Sequence, residues 1–207
     1  MPADVVSRRW DYSELGKAVS GTVAELQRGY LSDAKQPWAT TALARLRQAT
    51  NRAPGSVPNV WDQTIGIVPA HLQGGSDEPS AHEWAAHIAI TFFALHQQGR
   101  LSDRMAQSGG SLGSAARRLV TDPDLEDSIR RRFQAVALAE TRQGVAHHLR
   151  ALIGLLRGAG VPLDYGRLAD DLVDMFSGRD DGVRLRWGRD FRRIDKTPDL
   201  SDPDSKE

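Results

Sequence analysis

The chain has 207 residues, of which 27 are basic and 27 acidic, so its formal net charge at pH 7 is zero. It contains no cysteine, which excludes a disulfide scaffold, a thiolate zinc site, an iron–sulfur cluster and a cysteine nucleophile. The N-terminal sequence lacks the apolar core of a signal peptide, and the longest apolar stretch, residues 85–95, is about half a membrane span. We therefore expect a cytoplasmic protein that is not attached to a membrane.

Helical periodicity dominates the sequence, and no run of alternating apolar residues indicates a β-strand. In the first half of the chain, the pattern predicts helices over about residues 12–29, 37–53 and 79–96. A long connection, 54–79, holds four prolines and a short helix near Trp61. The helix over 79–96 is apolar nearly all round, which is typical of a central, buried helix.

A polar, glycine-rich stretch over residues 99–111 predicts a mobile loop and a boundary between two domains. The remaining predicted helices span about residues 111–120, 123–139, 141–158, 164–177 and 180–194. We therefore expect an all-α fold made of two small helical bundles. Its expected parts are an N-terminal helical domain over 1–105, a C-terminal helical bundle over 106–196 and a disordered acidic tail over 197–207.

Three motifs have the letters of catalytic or metal sites but lack the geometry. The two histidines in residues 82–87 are five positions apart, about 140° around a helix, so they cannot share a metal ion. Residues 109–113 read G-x-S-x-G, but a loop precedes them instead of a strand, which favours Ser111 as a helix N-cap. The adjacent His147 and His148 diverge by about 100°. We expect no catalytic residue, no metal site and no cofactor.

The basic residues are mostly arginine, 23 of the 27, and a guanidinium can hold a phosphate with two parallel hydrogen bonds. A GC-rich genome, which favours arginine codons, would explain the ratio equally well. The charge is also divided along the chain: residues 129–160 have a net charge of +5, 161–182 of −4 and 183–198 of +4. This segregation favours a surface that follows phosphates.

Arginines recur on the predicted helices at spacings that place them on one side. Arg45 and Arg52 lie seven residues apart on one flank of their helix, and Arg47 lies on the other flank. Arg150 and Arg157 are again seven apart, opposite an apolar stripe, and Arg142 is offset from Arg150 by about 80°.

The last predicted helix has the same design, because its arginines line up beside an apolar stripe that consists of Trp187, Phe191 and Ile194. These arginines are Arg186, Arg189 and Arg193. The alternative for every such set is a solvated helix face with local ion pairs, such as one between Arg186 and Asp190.

The order of several segments resembles the CasB family, the small subunits of the type I-E CRISPR Cascade surveillance complex. The segments are ALARLRQAT, HIAITFFALH, GGSLGSAARRL, AHHLRALIGLLR, LDYGRLADDL and RWGRDFRR. The resemblance covers about residues 40–194. Its most specific parts are the SLG…RL segment and the ending RWGRDFRR.

The resemblance implies a non-enzymatic, all-helical subunit that is present in two copies beside the backbone and large subunits of a crRNA-guided complex. It implies that basic helix faces hold the guide–target duplex and the displaced strand of the target DNA, which favours an open R-loop. Such contacts need charge and position but no base readout. Because the aromatic side chains mostly fit core stripes, we expect electrostatic contact without a platform for base stacking.

The candidate nucleic-acid-binding residues fall into two groups. The first group consists of Arg45, Arg47, Arg117, Arg118, Arg142 and Arg150. The second group, which pairing with acids or subunit contacts would explain equally well, consists of Arg130, Arg131, Arg132, Arg157, Arg186 and Arg189. Arg131 is the weakest, since three consecutive helical residues cannot share one face. The alternative function is a helical adaptor whose arginine faces bind partner subunits only, without nucleic acid.

Overall fold

The computed structural model describes residues 10–32 and 36–193. Within these residues the fold is all-α, as predicted. Its eight α-helices are α1 (Glu14–Leu31), α2 (Pro37–Ala49), α3 (Ala81–His96), α4 (Leu112–Arg118), α5 (Pro123–Ala137), α6 (Arg142–Ala159), α7 (Tyr165–Phe176) and α8 (Asp180–Arg192). Short 3-10 helices over Pro58–Gln63, Ile65–Ile67 and Ala70–Leu72 fill the connection between α2 and α3. The predicted acidic tail and Ile194 lie outside the described residues.

Polar side chains fix the residues at which the helices begin. Ser111 is the N-cap of α4, as predicted, and its hydroxyl accepts a hydrogen bond from the backbone N–H of Ser114 at 3.1 Å. At the start of α3, Ser80 and Glu83 form a capping box, in which each side chain accepts from the other residue's backbone N–H. Asp122 caps α5 directly before Pro123, which confirms the predicted helix start.

Helix α3 is the centre of the fold and packs against α1, α2, α6 and α7. Every residue from Trp84 to Ala94 is buried, as the apolar sequence predicted. Its two buried histidines are held by neighbouring helices: His87 Nε2 lies 3.1 Å from the carbonyl oxygen of Ala49, and His96 Nδ1 lies 2.8 Å from the hydroxyl of Tyr165. Burial lowers the pKa of His87, and it lowers the pKa of His96 to about 4. Both histidines are therefore neutral core residues near pH 7.

One continuous apolar core contains buried side chains from all eight helices. Helix α7 packs closely against α1 and α3, and it also contacts α8. The other close pairs in the second half of the chain are α4 with α8 and α5 with α6. Helix α7 thus ties the two halves of the chain together, and the boundary between residues 105 and 106 stays a prediction.

The segment 99–111, predicted as a mobile loop, is anchored by two buried glutamine side chains. The Gln97 amide donates to carbonyl oxygens of this segment, and its oxygen accepts from the backbone N–H of Met105 at 3.2 Å. Gln27 on α1 holds Ala106 from both sides, donating to its carbonyl at 3.1 Å and accepting from its N–H at 2.8 Å. These bonds satisfy backbone groups that no helix or strand pairs, so the segment has a defined path.

Candidate nucleic-acid interface

Helix α6 carries three arginines on the side that faces the ends of α2 and α3. We call them the α6 row: Arg142, Arg150 and Arg157. They extend over about 22 Å of helix, at 1.5 Å per residue. The opposite stripe of α6 is fully apolar and buried, and consists of Val145, Leu149, Leu152, Ile153 and Leu156. The amphipathic sequence of α6 therefore decides which side its arginines occupy.

The α6 row lies against backbone and amide groups of the neighbouring elements. Arg142 donates to the carbonyl oxygen of Pro79 at 2.9 Å, and Arg157 donates to Gln98 Oε1 at 3.0 Å. Arg150 is more exposed, and its Nη1 lies 3.4 Å from Asn51 Oδ1. None of the three pairs with a carboxylate among the described residues. The row therefore keeps its full positive charge.

The basic surface continues beyond the C-terminal end of α6. Arg100, directly after α3, donates to the carbonyl oxygens of Arg157 and Gly158, the latter at 2.7 Å. Arg118 donates to the carbonyl oxygen of Pro162 at 2.7 Å. The Arg100 guanidinium satisfies carbonyls at the end of α6 and matches the negative end of its helix dipole, and it also pairs with Asp103 at 3.2 Å. Sequence reasoning missed Arg100, although its position just after Gly99, which has a φ of +77°, marks the end of α3.

Helix α2 supplies arginines with no partner of their own. Arg45 is exposed and Arg47 is half-buried, and within the described chain neither side chain makes a hydrogen bond or an ion pair. Arg47 lies one turn before Asn51, the residue that Arg150 approaches. The structure therefore brings Arg47 and the α6 row to one side of the molecule, whereas Arg45 lies on the other flank of α2.

Two predicted candidates, Arg117 of α4 and Arg130 of α5, share the carboxylate of Glu126. Arg117 lies 3.3 Å from Glu126 Oε2, and Arg130 binds the other oxygen of the same carboxylate. Hydrogen bonds from Arg130 and Arg117 lower the pKa of Glu126. Because Glu126 offsets part of their charge, this pair offers less to a phosphate than the α6 row does.

Arg132 lies in an open groove of about 350 Å³ between α5 and α6, together with Arg131 and His148. The Arg132 side chain donates to the carbonyl oxygen and the hydroxyl of Ser128. Residues of both α5 and α6 line the groove, but none of the three arginines of the α6 row does.

Arg186 is half-buried and is bound by acids of α7, not by Asp190, the partner that the alternative of local ion pairs gave it. It donates to Asp171 Oδ1 at 2.7 Å and to Asp174 at 3.2 Å. Asp171 is 1% exposed and also accepts from Trp187 Nε1 at 2.7 Å. Burial raises the pKa of Asp171, since desolvation outweighs these bonds. Arg186 therefore joins α7 to α8 and offers little to an external ligand.

Asp190 pairs instead with groups on other helices. It accepts from the hydroxyl of Ser111 at 2.7 Å and from Arg167 at 3.0 Å. The four-residue spacing of Arg186 and Asp190 does not produce an ion pair between them, because both side chains bond to residues that are distant in sequence. Arg189, on the same helix, is exposed and has no partner within the described chain.

Two exposed tryptophans are exceptions to the expectation that the aromatic side chains mostly fit core stripes. Trp38 on α2 is 47% exposed, and Trp61 in the following 3-10 helix is 45% exposed. By contrast, Trp84 and Trp187 are buried. The sequence offered no means of separating these two pairs, because tryptophan is usually a core residue.

Within residues 10–32 and 36–193, no group of three or more histidine, aspartate or glutamate side chains is arranged to hold a metal ion. In the same part of the chain, no helix has the length and apolar character that a membrane span requires.

The candidate site is therefore an open surface of arginine side chains on an all-α protein. Residues 42–191 match the profile of a known family, the CRISPR-associated protein Cse2 family, which covers most of the chain. The chain belongs to this family, and the resemblance stated from its sequence is confirmed.

Solved structures share this fold. CasB from Thermobifida fusca is 34% identical, with a TM-score of 0.73, and the alignment covers 88% of this chain and 100% of that one. CasB from Thermus thermophilus is 26% identical, with a TM-score of 0.60 and coverage of 85% and 96%. A chain described as a CRISPR RNA-guided surveillance complex is 22% identical, with a TM-score of 0.66 and coverage of 86% and 92%, which shows the fold alone. Curated protein sequences gave no significant match.

Proposed function

We propose that this protein is a non-catalytic small subunit of a crRNA-guided Cascade complex. In this role its basic helix faces contact the guide–target duplex and the displaced DNA strand, and they stabilise the R-loop. Its partners are the backbone and large subunits, crRNA, target DNA and a second copy of the chain. Membership of the Cse2 family supports the proposal, as does the likeness in fold to a chain of a CRISPR RNA-guided surveillance complex.

The observation that carries the proposal is the α6 row with its neighbour Arg47. These guanidinium groups lie on one side of the molecule, and no carboxylate among the described residues neutralises them. Arginine at such a surface can hold phosphate oxygens without reading base sequence. R-loop formation is nearly balanced, because the heteroduplex that forms is about as stable as the duplex that it replaces. A few backbone contacts are therefore enough to shift the equilibrium towards the open state.

The test is the lifetime of an R-loop on a complex assembled with the double variant Arg47→Ala and Arg150→Ala. These two side chains have the weakest internal contacts of the proposed surface, so their removal leaves the fold intact. We expect an R-loop lifetime about tenfold shorter, equivalent to about 1.4 kcal/mol, with unchanged guide sequence preference.

The matched control is Arg104→Ala. Arg104 is also exposed and without a partner in the described chain, but it lies beside a cavity against α1. The control complex should behave as the parent does. An unchanged R-loop lifetime in the double variant, with stable assembly, would favour the adaptor that binds partner subunits only.

A further inference from the structure

The outer face of α2 has a pattern that the α6 row lacks. Its positions Trp38, Thr41, Arg45 and Gln48 follow one another at three- and four-residue spacings, which places them in one line, and Arg52 follows in the turn directly after α2. All five are exposed. We call this line the α2 stripe. Its helical part, from Trp38 to Gln48, extends over about 15 Å, and α2 contains no acidic residue.

Two indole rings near this face are fixed in place: Trp38 begins the α2 stripe, and Trp61 lies in the 3-10 helix that packs against α2. The benzo edge of Trp38 packs over Gly29 of α1, where an added Cβ would lie only 2.7 Å from Trp38 Cζ2. Beyond Arg52 the chain turns at Gly55, whose carbonyl oxygen accepts a hydrogen bond from Trp61 Nε1 at 2.8 Å. Both rings nevertheless leave nearly half of their surface to solvent. Aromatic rings held in this way lose little conformational entropy when a ligand stacks on them.

The arginines between these rings are equally available. Within the described residues, the side chains of Arg45 and Arg52 have no hydrogen-bond or ion-pair partner. The α2 stripe and the neighbouring Trp61 therefore combine exposed aromatic surface with unpaired positive charge. In the sequence, the acids that flank the α2 stripe are Asp33, before α2, and Asp62, which lies beside Trp61 and is exposed.

We propose that the α2 stripe binds single-stranded nucleic acid, with bases stacked on Trp38 and Trp61 and phosphates on Arg45 and Arg52. A single strand is the polymer that presents unpaired bases and anionic phosphates along one line, and stacking on aromatic rings is its usual mode of sequence-independent binding. In a duplex the bases are already stacked on one another, so a duplex gains nothing from the tryptophans. The inference rests on the proposed function, since the displaced DNA strand is the source of the single strand.

The experiment measures binding of the full-length protein to a thymidine oligonucleotide and to an abasic oligonucleotide of equal length. Both probes carry the same charge, but the abasic strand has nothing to stack. We expect the parent protein to bind the thymidine strand at least about thirtyfold more tightly than the abasic strand, since two bases stack on the tryptophans. The double variant Trp38→Leu and Trp61→Leu should lose this difference, and the variant Trp38→Phe and Trp61→Phe should retain most of it.

The leucine and phenylalanine variants separate stacking of bases from contact with any apolar surface, because leucine keeps apolar area but has no π face. Equal affinity of the parent for the two probes, or full binding by the leucine variant, would overturn the inference. In either case the R-loop measurement on Arg47→Ala and Arg150→Ala is unaffected, so the proposed function would stand or fall separately. Equal losses with both double tryptophan variants would also count against stacking.

Discussion

The contacts of individual side chains divide the arginines into structural and available groups. Arg186 is bound by two acids of α7, and Arg117 shares Glu126 with Arg130. Arg150 meets a single amide oxygen at 3.4 Å, and Arg47 meets none in the described chain. A guanidinium that is already paired with a carboxylate has part of its charge offset, so the unpaired arginines are the better candidates for the proposed phosphate contacts.

Replacing Arg186 with methionine tests the structural group, because it keeps the apolar stem and removes the charge. Asp171 would then be buried without its ion-pair partner, and we expect a loss of about 2–3 kcal/mol in the free energy of unfolding. Urea unfolding followed by circular dichroism measures it. Arg189→Met, at an exposed and unpaired position, is the control. A variant as stable as the parent would show that the Asp171 pair contributes nothing.

His96 makes stability depend on pH in a predictable direction. Its pKa is lowered from 6.5 to about 4 in the folded state, so the unfolded chain binds a proton more readily between these values. Stability therefore falls as the pH drops through this window, by roughly 2 kcal/mol between about pH 7 and pH 5. The raised pKa of Asp171 acts in the opposite direction, and His87 in the same direction.

A comparison with His96→Gln isolates the contribution of His96, because glutamine can still bond the hydroxyl of Tyr165. Unfolding free energies of both proteins, measured at about pH 7 and pH 5, should differ in their pH dependence by about 2 kcal/mol. Parallel curves would mean that His96 is protonated in the folded state at pH 5.

At the scale of elements, the approach of α4 to α8 depends on one glycine. A Cβ at Gly113 would lie 2.2 Å from the carbonyl oxygen of Trp187, so the two helices pack backbone to backbone at this point. This contact accounts for the second glycine of the G-x-S-x-G letters, which are a packing motif here and not a nucleophile elbow. Ser111 in the same motif caps α4 and bonds Asp190 of α8.

Replacing Gly113 with alanine should push the two helices apart and lower the free energy of unfolding by about 3 kcal/mol. The matched control is Gly154→Ala in α6, where an added Cβ meets nothing within 4 Å. That change should stabilise the protein by up to ~1 kcal/mol, since alanine favours a helix. Thermal unfolding measures the change in stability of both variants. Equal effects of the two changes would refute the close packing of α4 against α8 at Gly113.

The sequence predicted those helices whose apolar and charged residues follow the periodicity of a single helix. The apolar run of α3 and the opposed apolar and arginine sides of α6 were readable because helix periodicity alone decides them. The anchoring of residues 99–111 by Gln27 and Gln97 was not readable, since it joins groups distant in sequence. The exposure of Trp38 was hidden for the same reason: which side of α2 stays uncovered depends on where α1 and α3 pack.

At the scale of the whole molecule, zero net charge conceals where the acids are. Three acids of the 161–182 segment serve the interior: Asp164 accepts from Tyr12 at 2.7 Å, Asp170 from Trp10 at 3.0 Å, and Asp171 from Arg186 and Trp187. They hold α7 against α8 and against the residues before α1. Because these three acids bond to other groups of the fold, they do not pair with the arginines of α2 and α6. Those arginines therefore have no carboxylate partner among the described residues, although the chain as a whole is neutral.

Neutrality also limits how tightly the free protein binds nucleic acid. A strongly basic protein binds any polyanion, whereas a neutral one with a local basic face depends on being positioned by its neighbours. We therefore expect weak binding of the isolated chain that falls steeply as salt is added.

The most direct test of the basic surface is the salt dependence of duplex binding by the parent protein and by the double variant Arg47→Ala and Arg150→Ala. Each phosphate contact that is lost lowers the slope of log affinity against log salt concentration by about 0.9. Two contacts should therefore lower the slope by about 1.8, and the control Arg104→Ala should leave it unchanged. A double variant with the parent's slope would contradict the assignment of these arginines to phosphate contact.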